Sequence, residues 1–184
     1  MLTALTGEPV EDVLTGVAED AGLENTALQP VDAFGLPEPA SAGYVNEYAV
    51  IGLQIEGVDV EPLGDVSDYT ASWGGSGGSM YSAVEDLGQW TATGFGNAFL
   101  PADLAAARLD SKPIDVGDYG LGVLTLDGGW YGHPGEILGW ESIAFYQPDT
   151  GAIFVALVNE SGSLLLTAEA AVAAFPDLAA FYEG

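Results

Sequence analysis

The chain has 184 residues, a size that fits one domain or part of one. Hydrophobic residues make up 48% of it and the mean hydropathy is +0.26, so it can bury a core and does not have the composition of a disordered chain. Arg108 and Lys112 stand against 28 acidic residues, a net charge of −26, which excludes nucleic acid and anionic membrane as natural partners because both are held by clusters of Lys and Arg. The simplest reading of the acid is a solvated, soluble surface that repels itself at low salt, and adaptation to high salt fits it too. There is no cysteine, so disulfides and thiolate metal sites are excluded, while the redox compartment is left open. A single histidine excludes a His-rich metal site, and no cofactor is expected. The longest apolar run, from Leu164 to Phe175, is interrupted by Thr167 and Glu169 and is too short to span a bilayer. No basic segment precedes an apolar one, so no secretory signal is read in this chain; one lying upstream of Met1 would be invisible.

Pro9 to Ala21 is predicted to be an amphipathic helix: Val10, Val13, Leu14 and Val17 recur at helical spacing and Gly22 is placed to end it. Glu8, Glu11 and Asp12 suit its positive N-terminal end. Gln29 to Ala42, with three prolines, reads as irregular loop. Tyr48 to Val60 alternates weakly and predicts one or two short strands. Trp73 to Ser79 is rich in Gly and Ser and reads as a tight turn into a helix, with Ser82-Ala83-Val84-Glu85 as a capping box and an amphipathic run to Trp90. Pro101 to Leu109 predicts another short helix.

The period then changes. Tyr119–Leu126, Trp130–His133, Trp140–Gln147 and Ala152–Val158 read as strands. Asp127-Gly128-Gly129 marks a hairpin between the first two, and Pro148-Asp149-Thr150-Gly151 a turn between the last two. Ser163 to Phe175 reads as a helix interrupted by Pro176. Helices, then a meander, then a helix give an α+β class: a single domain over 1–184, mostly helix and loop over 1–118, with the antiparallel meander and C-terminal helix over 119–184.

His133-Pro134-Gly135 is the segment that could carry chemistry. It follows a predicted strand, its near-neutral imidazole is eligible for proton transfer, and the small residue beside it lets a substrate approach the backbone. A strand edge there could donate an amide N–H to a developing oxyanion. Neighbouring acid pairs such as Glu19/Asp20 and Asp59/Glu61 read as solvated surface, and Asp115, Asp118 and Asp127 lack the spacing of a calcium loop.

Five blocks in order resemble the serine β-lactamase-like family, which includes β-lactamases, DD-peptidases and related esterases. Leu5-Thr6-Gly7-Glu8-Pro9-Val10 with Gly22-Leu23-Glu24-Asn25-Thr26 is similar to its "TG.p…GL..T" helix and turn. Ala42-Gly43-Tyr44 resembles its "GY" element, and the run from Gly77 to Leu87 its "GG..ST..DL" turn and helix. Tyr119-Gly120-Leu121-Gly122 with Gly132-His133-Pro134-Gly135 resembles "YGLG…GHxG", and Gln147-Pro148-Asp149-Thr150-Gly151 with Val158-Asn159 resembles "PDTG…N". The resemblance covers residues 3 to 160. It implies a β-lactamase-like fold lacking its N-terminal part, and acyl transfer to a serine followed by hydrolysis of an amide, lactam or ester. It implies that His133 positions substrate and assists proton transfer, that the backbone N–H of Glu136 is one oxyanion donor, and that Pro134 and Gly135 border the substrate. It also implies a periplasmic or extracellular setting.

The departures bear on activity. Lys112 is preceded three residues earlier by Leu109, so the chain has no Ser-x-x-Lys, the family's nucleophile motif. Tyr44-Val45-Asn46 has the form of the family's Tyr-x-Asn but follows the "TG.p" helix that it should precede, so Tyr44 and Asn46 are weak substrate-side candidates. Pro134 stands where the family has a small hydroxyl residue. The chain alone is therefore expected to be catalytically silent. Its expected partners are a complementary N-terminal segment, or a second copy joined through an exposed strand edge, and a small-molecule or peptide substrate once completed. Two alternatives remain: a degenerate binding or assembly module of the same fold, and an α/β-hydrolase-type esterase with Ser76 in Gly74-Gly75-Ser76-Gly77-Gly78 as nucleophile.

Overall fold

A computed structural model describes residues 2–46, 64–115 and 117–161. The strands predicted between Tyr48 and Val60 and the helix predicted from Ser163 lie outside these residues.

Two helices open the chain, α1 (Leu2–Thr6) and α2 (Val10–Asp20). Pro9 sets the entry to α2, and the chain leaves it through a Schellman turn. Gly22, at φ +72°, donates its N–H to Glu19 O at 2.9 Å, and Leu23 donates to Ala18 O at 2.9 Å. Ala18, Ala21 and Leu23 form a small core against Trp90. The segment after it makes strand β1 (Ala27–Leu28), which pairs antiparallel with β4 (Met80–Tyr81). Between them run β2 (Tyr44–Val45), β3 (Gly64–Asp65) and a 3₁₀ turn over Ser72–Gly77 kinked at Gly75. Helix α3 (Val84–Trp90) continues into a π-helical turn over Thr91–Phe95, and α4 (Ala102–Leu109) follows.

The capping box does not form. The residue before α3 is Ala83, and no side chain caps the helix. The Ser82 hydroxyl lies 2.7 Å from that of Thr26 instead. Buried Asp86 accepts from Thr26 Oγ1 at 2.9 Å and from the Asn25 N–H at 2.5 Å. These polar groups are spent on joining the turn after α2 to α3 rather than on the helix end.

The rest is a six-stranded antiparallel sheet in the order β10-β9-β8-β7-β6-β5. Its strands are β5 (Lys112–Ile114), β6 (Gly117–Tyr119), β7 (Leu124–Leu126), β8 (Trp130–Ile137), β9 (Trp140–Gln147) and β10 (Ala152–Val158). The meander thus starts at Lys112, before the boundary expected at 119. The single strand expected over Tyr119–Leu126 is a hairpin: the chain reverses at Gly120–Gly122, with Gly120 N–H bonded to Val123 O at 2.8 Å and Gly122 at φ +68°. The strand expected to end at His133 continues to Ile137.

Period-two alternation gives the sheet two apolar faces. On one, Leu124, Trp130, Ile143 and Phe145 form a core with Phe154. On the other, Phe95, Val123 and Ala144 pack with Leu87, Tyr131 and Val155, so α3 and the π turn cover that face. Buried Gln147 fastens two turns at once: its Nε2 donates to Gly128 O at 3.0 Å and its Oε1 accepts from Thr150 N–H at 2.9 Å. A small sheet of β2 between β3 and β11 (Glu160–Ser161) meets the β8–β9 turn, where Ser161 Oγ accepts from Gly139 N–H at 2.7 Å.

Candidate active site

Strand β7 pairs with β8 only as far as Gly132. Beyond it, His133 to Ile137 pair with β9 on one side, and among the described residues no strand pairs with their other side. Pro134 fixes which way this segment faces. Proline has no N–H to give to β9, so within the ladder its nitrogen turns away from β9. The two-residue period then turns the N–H of Glu136 the same way, toward the side that β7 does not reach.

A cleft of about 1440 Å³ opens beside this segment. Gly135, Glu136 and Ile137 of β8 and Trp140 and Ser142 of β9 form one wall, and the turn from Ser76 to Met80 lies in its lining as well. Gly135 has no spare room: a Cβ there would come within 2.6 Å of Ser142 Oγ. Trp140 is held in place from behind. A Cβ on Gly43 would meet its indole at 2.5 Å, and its Nε1 donates to Ser41 Oγ at 3.3 Å. Gly43 N–H in turn donates to Ser67 Oγ at 2.9 Å, and the Ser67 hydroxyl donates to Asp65 Oδ1. The hydroxyl and amide of Ser67 hold the exposed Asp65 carboxyl below the usual carboxylate range.

His133 lies on β8 but is not among the residues lining the cleft. Its Nδ1 contacts the carbonyl of Pro134, which can only accept, so Nδ1 carries the proton. Nε2 then accepts from the Tyr119 hydroxyl at 2.7 Å, and the two rings meet edge to face at 5.5 Å. Both ring nitrogens are engaged. Pro134 also lies outside the lining. Tyr44 and Asn46 are on or beside β2, where their backbone N–H groups bond Asn159 O at 3.0 Å and Ser161 O at 3.1 Å; neither lines the cleft. The structure thus brings Gly135 and Glu136 together at the cleft and leaves the other four candidates apart from its lining.

Sequence reasoning assigned no role to Trp140 or Ser142. A signal existed in Gly43 and Gly135, small residues kept small by the side chains they touch, but it is visible only once the partners are known. The Ser76 elbow reading fails on topology. That nucleophile sits between a strand of a parallel sheet and a helix, whereas Ser76 lies within a 3₁₀ turn and the main sheet is antiparallel throughout. Among the described residues no three acidic or histidine side chains converge as a metal-ion set, and no helix is long and apolar enough to cross a membrane.

No protein-family model matches the chain, and no curated protein matches it. Solved structures do. A D-stereospecific amidohydrolase from Streptomyces sp. superposes with a TM-score of 0.70 at 24% identity, over 86% of this chain and 46% of that one. A D-amino acid amidase from Ochrobactrum anthropi SV3 superposes with a TM-score of 0.72 at 22% identity, over 88% of this chain and 49% of that one. A penicillin-binding protein from Bacillus halodurans gives 0.63 at 20% identity, over 92% and 52%. The chain therefore shares the β-lactamase-like fold of these structures, and it spans about half their length.

Proposed function

We infer that this chain supplies one wall and the oxyanion-donor strand of a pocket that acylates a serine and then hydrolyses an amide, lactam or ester. The observation that carries the reading is the far end of β8: a strand segment beside a cleft, with Gly135 packed against Ser142 in the wall and the Glu136 N–H turned away from β9. A preorganised backbone N–H at such a place stabilises the charge that develops on a carbonyl oxygen. The names of the structural neighbours, an amidohydrolase, an amidase and a penicillin-binding protein, support amide chemistry.

His133 is the proton-handling residue of this reading. It would have to release Tyr119 or Pro134 to act, because each ring nitrogen is engaged. Pro134 turns the strand edge, and Tyr44 and Asn46 remain outlying substrate-side candidates. The sequence holds no Ser-x-x-Lys, so the nucleophile comes from a complementary segment, and the chain alone is silent. That segment, or failing it a second copy, pairs along β10, which has β9 as its one neighbour among the described strands. The single domain is thus a partial one, its setting periplasmic or extracellular, and its acidity an adaptation to salt.

Nitrocefin and p-nitrophenyl ester assays of the purified chain test this, and no turnover is expected. Addition of a complementary segment bearing Ser-x-x-Lys should restore it, with loss again on Gly135→Val, whose side chain would displace Ser142 in the cleft wall. Turnover by the 184-residue chain alone overturns the claim of silence. Persistent silence in the completed pair favours the degenerate binding module instead.

A further inference from the structure

In an antiparallel ladder the nitrogen and the carbonyl of one residue face the same side. Pro134 turns its nitrogen away from β9, so its carbonyl turns away as well, to the side where β7 has stopped and no described strand pairs. A backbone carbonyl is an obligatory acceptor and needs a donor there. His133 supplies one: its ring folds along its own strand, and Nδ1 donates to Pro134 O. The imidazole takes the place that a residue of β7 would hold. It does so one peptide before the Gly135–Glu136 peptide, which carries the candidate oxyanion donor.

An imidazole in that role keeps its proton on Nδ1 and offers Nε2 as an acceptor. Tyr119 fills that second need. Its hydroxyl lies 2.7 Å from Nε2, and its ring meets the imidazole edge to face at 5.5 Å. Tyr119 is itself well placed to hold a partner. It ends β6, with Lys112 of β5 opposite it on one side and Leu124 of β7 on the other. Arg108 clasps the turn that follows: its carbonyl accepts from Leu121 N–H at 2.9 Å, and its Nε donates to Leu121 O at 3.4 Å. The Arg108 guanidinium is anchored in turn, over the Phe95 ring and on Asn97 Oδ1 at 3.0 Å.

We propose that Tyr119 is a positioning residue. Through its hydroxyl it fixes His133 as the Nδ1–H tautomer, and through the imidazole it holds the Pro134 carbonyl and the strand segment that carries the Glu136 N–H. The hold is a property of this chain alone, whereas its use in acyl transfer rests on the hydrolase reading.

The single histidine makes the tautomer directly readable. Proton–nitrogen correlation spectra of the isotope-labelled full chain, in mildly alkaline buffer where an ordinary imidazole is neutral, should show Nδ1 protonated and Nε2 bare. Tyr119→Phe keeps the ring contact and removes the hydroxyl. The Nε2–H form should then appear, with the tautomer ratio falling about fivefold, the effect of one ordinary hydrogen bond. Ile114→Ala, an exposed change on neighbouring β5, should leave the ratio as it was. In the completed pair Tyr119→Phe should lower kcat on the order of tenfold with KM little changed.

An Nε2–H tautomer in the unaltered chain overturns the proposal, as does a ratio unchanged by Tyr119→Phe. An equal shift in Ile114→Ala overturns it too, by assigning the effect to a loosened sheet edge. If Tyr119→Phe does not fold, the unaltered chain decides: a scalar coupling between the Tyr119 hydroxyl proton and Nε2 supports the hold, and its absence overturns it. A completed pair whose kcat is unmoved by Tyr119→Phe overturns the positioning role. A completed pair that never turns over a substrate, beside the expected tautomer and its loss in Tyr119→Phe, sinks the hydrolase reading alone.

Discussion

Gly132 has no side chain because the sheet leaves no place for one. A Cβ there would lie 2.1 Å from Ala144 O and 2.5 Å from the Phe145 ring, both fixed in the middle of the sheet. Gly132→Ala must push β8 and β9 apart, and it should cost about 1–3 kcal/mol, read as a lower urea midpoint. Asp65 makes a pH-dependent contribution. Its folded pKa is lowered by Ser67 from an ordinary 3.8, so its stabilisation is present above that value and is lost as pH falls through the lower folded value. Asp65→Asn should therefore melt below the unaltered chain near neutral pH, with the difference closing in acid. A gap that widens in acid would contradict the assignment. At this scale the sequence was legible where a residue acts through its own backbone, as Gly22 and Gly128 do in turns. It was not legible where a residue acts through a neighbour brought in by the fold. Ser82 is the example: its spacing to Glu85 fits a capping box, yet its hydroxyl meets Thr26, 56 residues away in sequence.

Elements with one strong period were readable. The predicted bounds of β9 and β10 coincide with the observed ones, because each strand sits between turn residues and alternates or is apolar throughout. Two readings were wrong for identifiable reasons. The apolar Leu121 and Val123 carried the strand pattern through Gly120–Gly122, where the backbone in fact reverses. The strand expected over Trp130–His133 in fact runs on through Pro134 to Ile137. The proline is accommodated because β7 has already stopped, which leaves one side of the strand for a nitrogen without a hydrogen. The same residue therefore reports the orientation of the candidate oxyanion donor. Strand β10 carries the prediction at this scale. It is seven apolar residues with no charge or proline, and Ile153 and Leu157 are 43% and 46% exposed. Such an edge pairs with other strands unless guarded. The chain alone should show concentration-dependent association in sedimentation, and Ile153→Lys/Leu157→Lys should shift it toward monomer. A monomer at all concentrations before substitution would count against pairing there.

At the scale of the whole molecule, charge dominates. With a net charge of −26, folding brings acidic groups together, and they repel across the surface. Screening should raise the melting temperature as ionic strength rises, since surface charges beyond a Debye length of ~10 Å at 0.1 M salt no longer interact. A flat or falling series from low to high salt would sink the reading of salt adaptation. The fold class was legible at this scale because ordered blocks and a change of period survive even where single residues mislead. The cleft's composition was not. The scarcity of cations is plain from composition, but which acids share one cavity depends on turns and strands meeting across the chain.

The order of the strands carries a consequence for how the molecule assembles. In the sheet from β5 to β10, every neighbour in space is also the next strand in the chain. Each pairing therefore closes a short loop, at small entropic cost, and hairpins can form one after another without waiting for distant segments. Gln147, bonded to both Gly128 and Thr150, ties the β7–β8 turn to the β9–β10 turn. The meander is therefore expected to form early when the whole chain refolds, and its central strands should be the last to exchange their amide hydrogens.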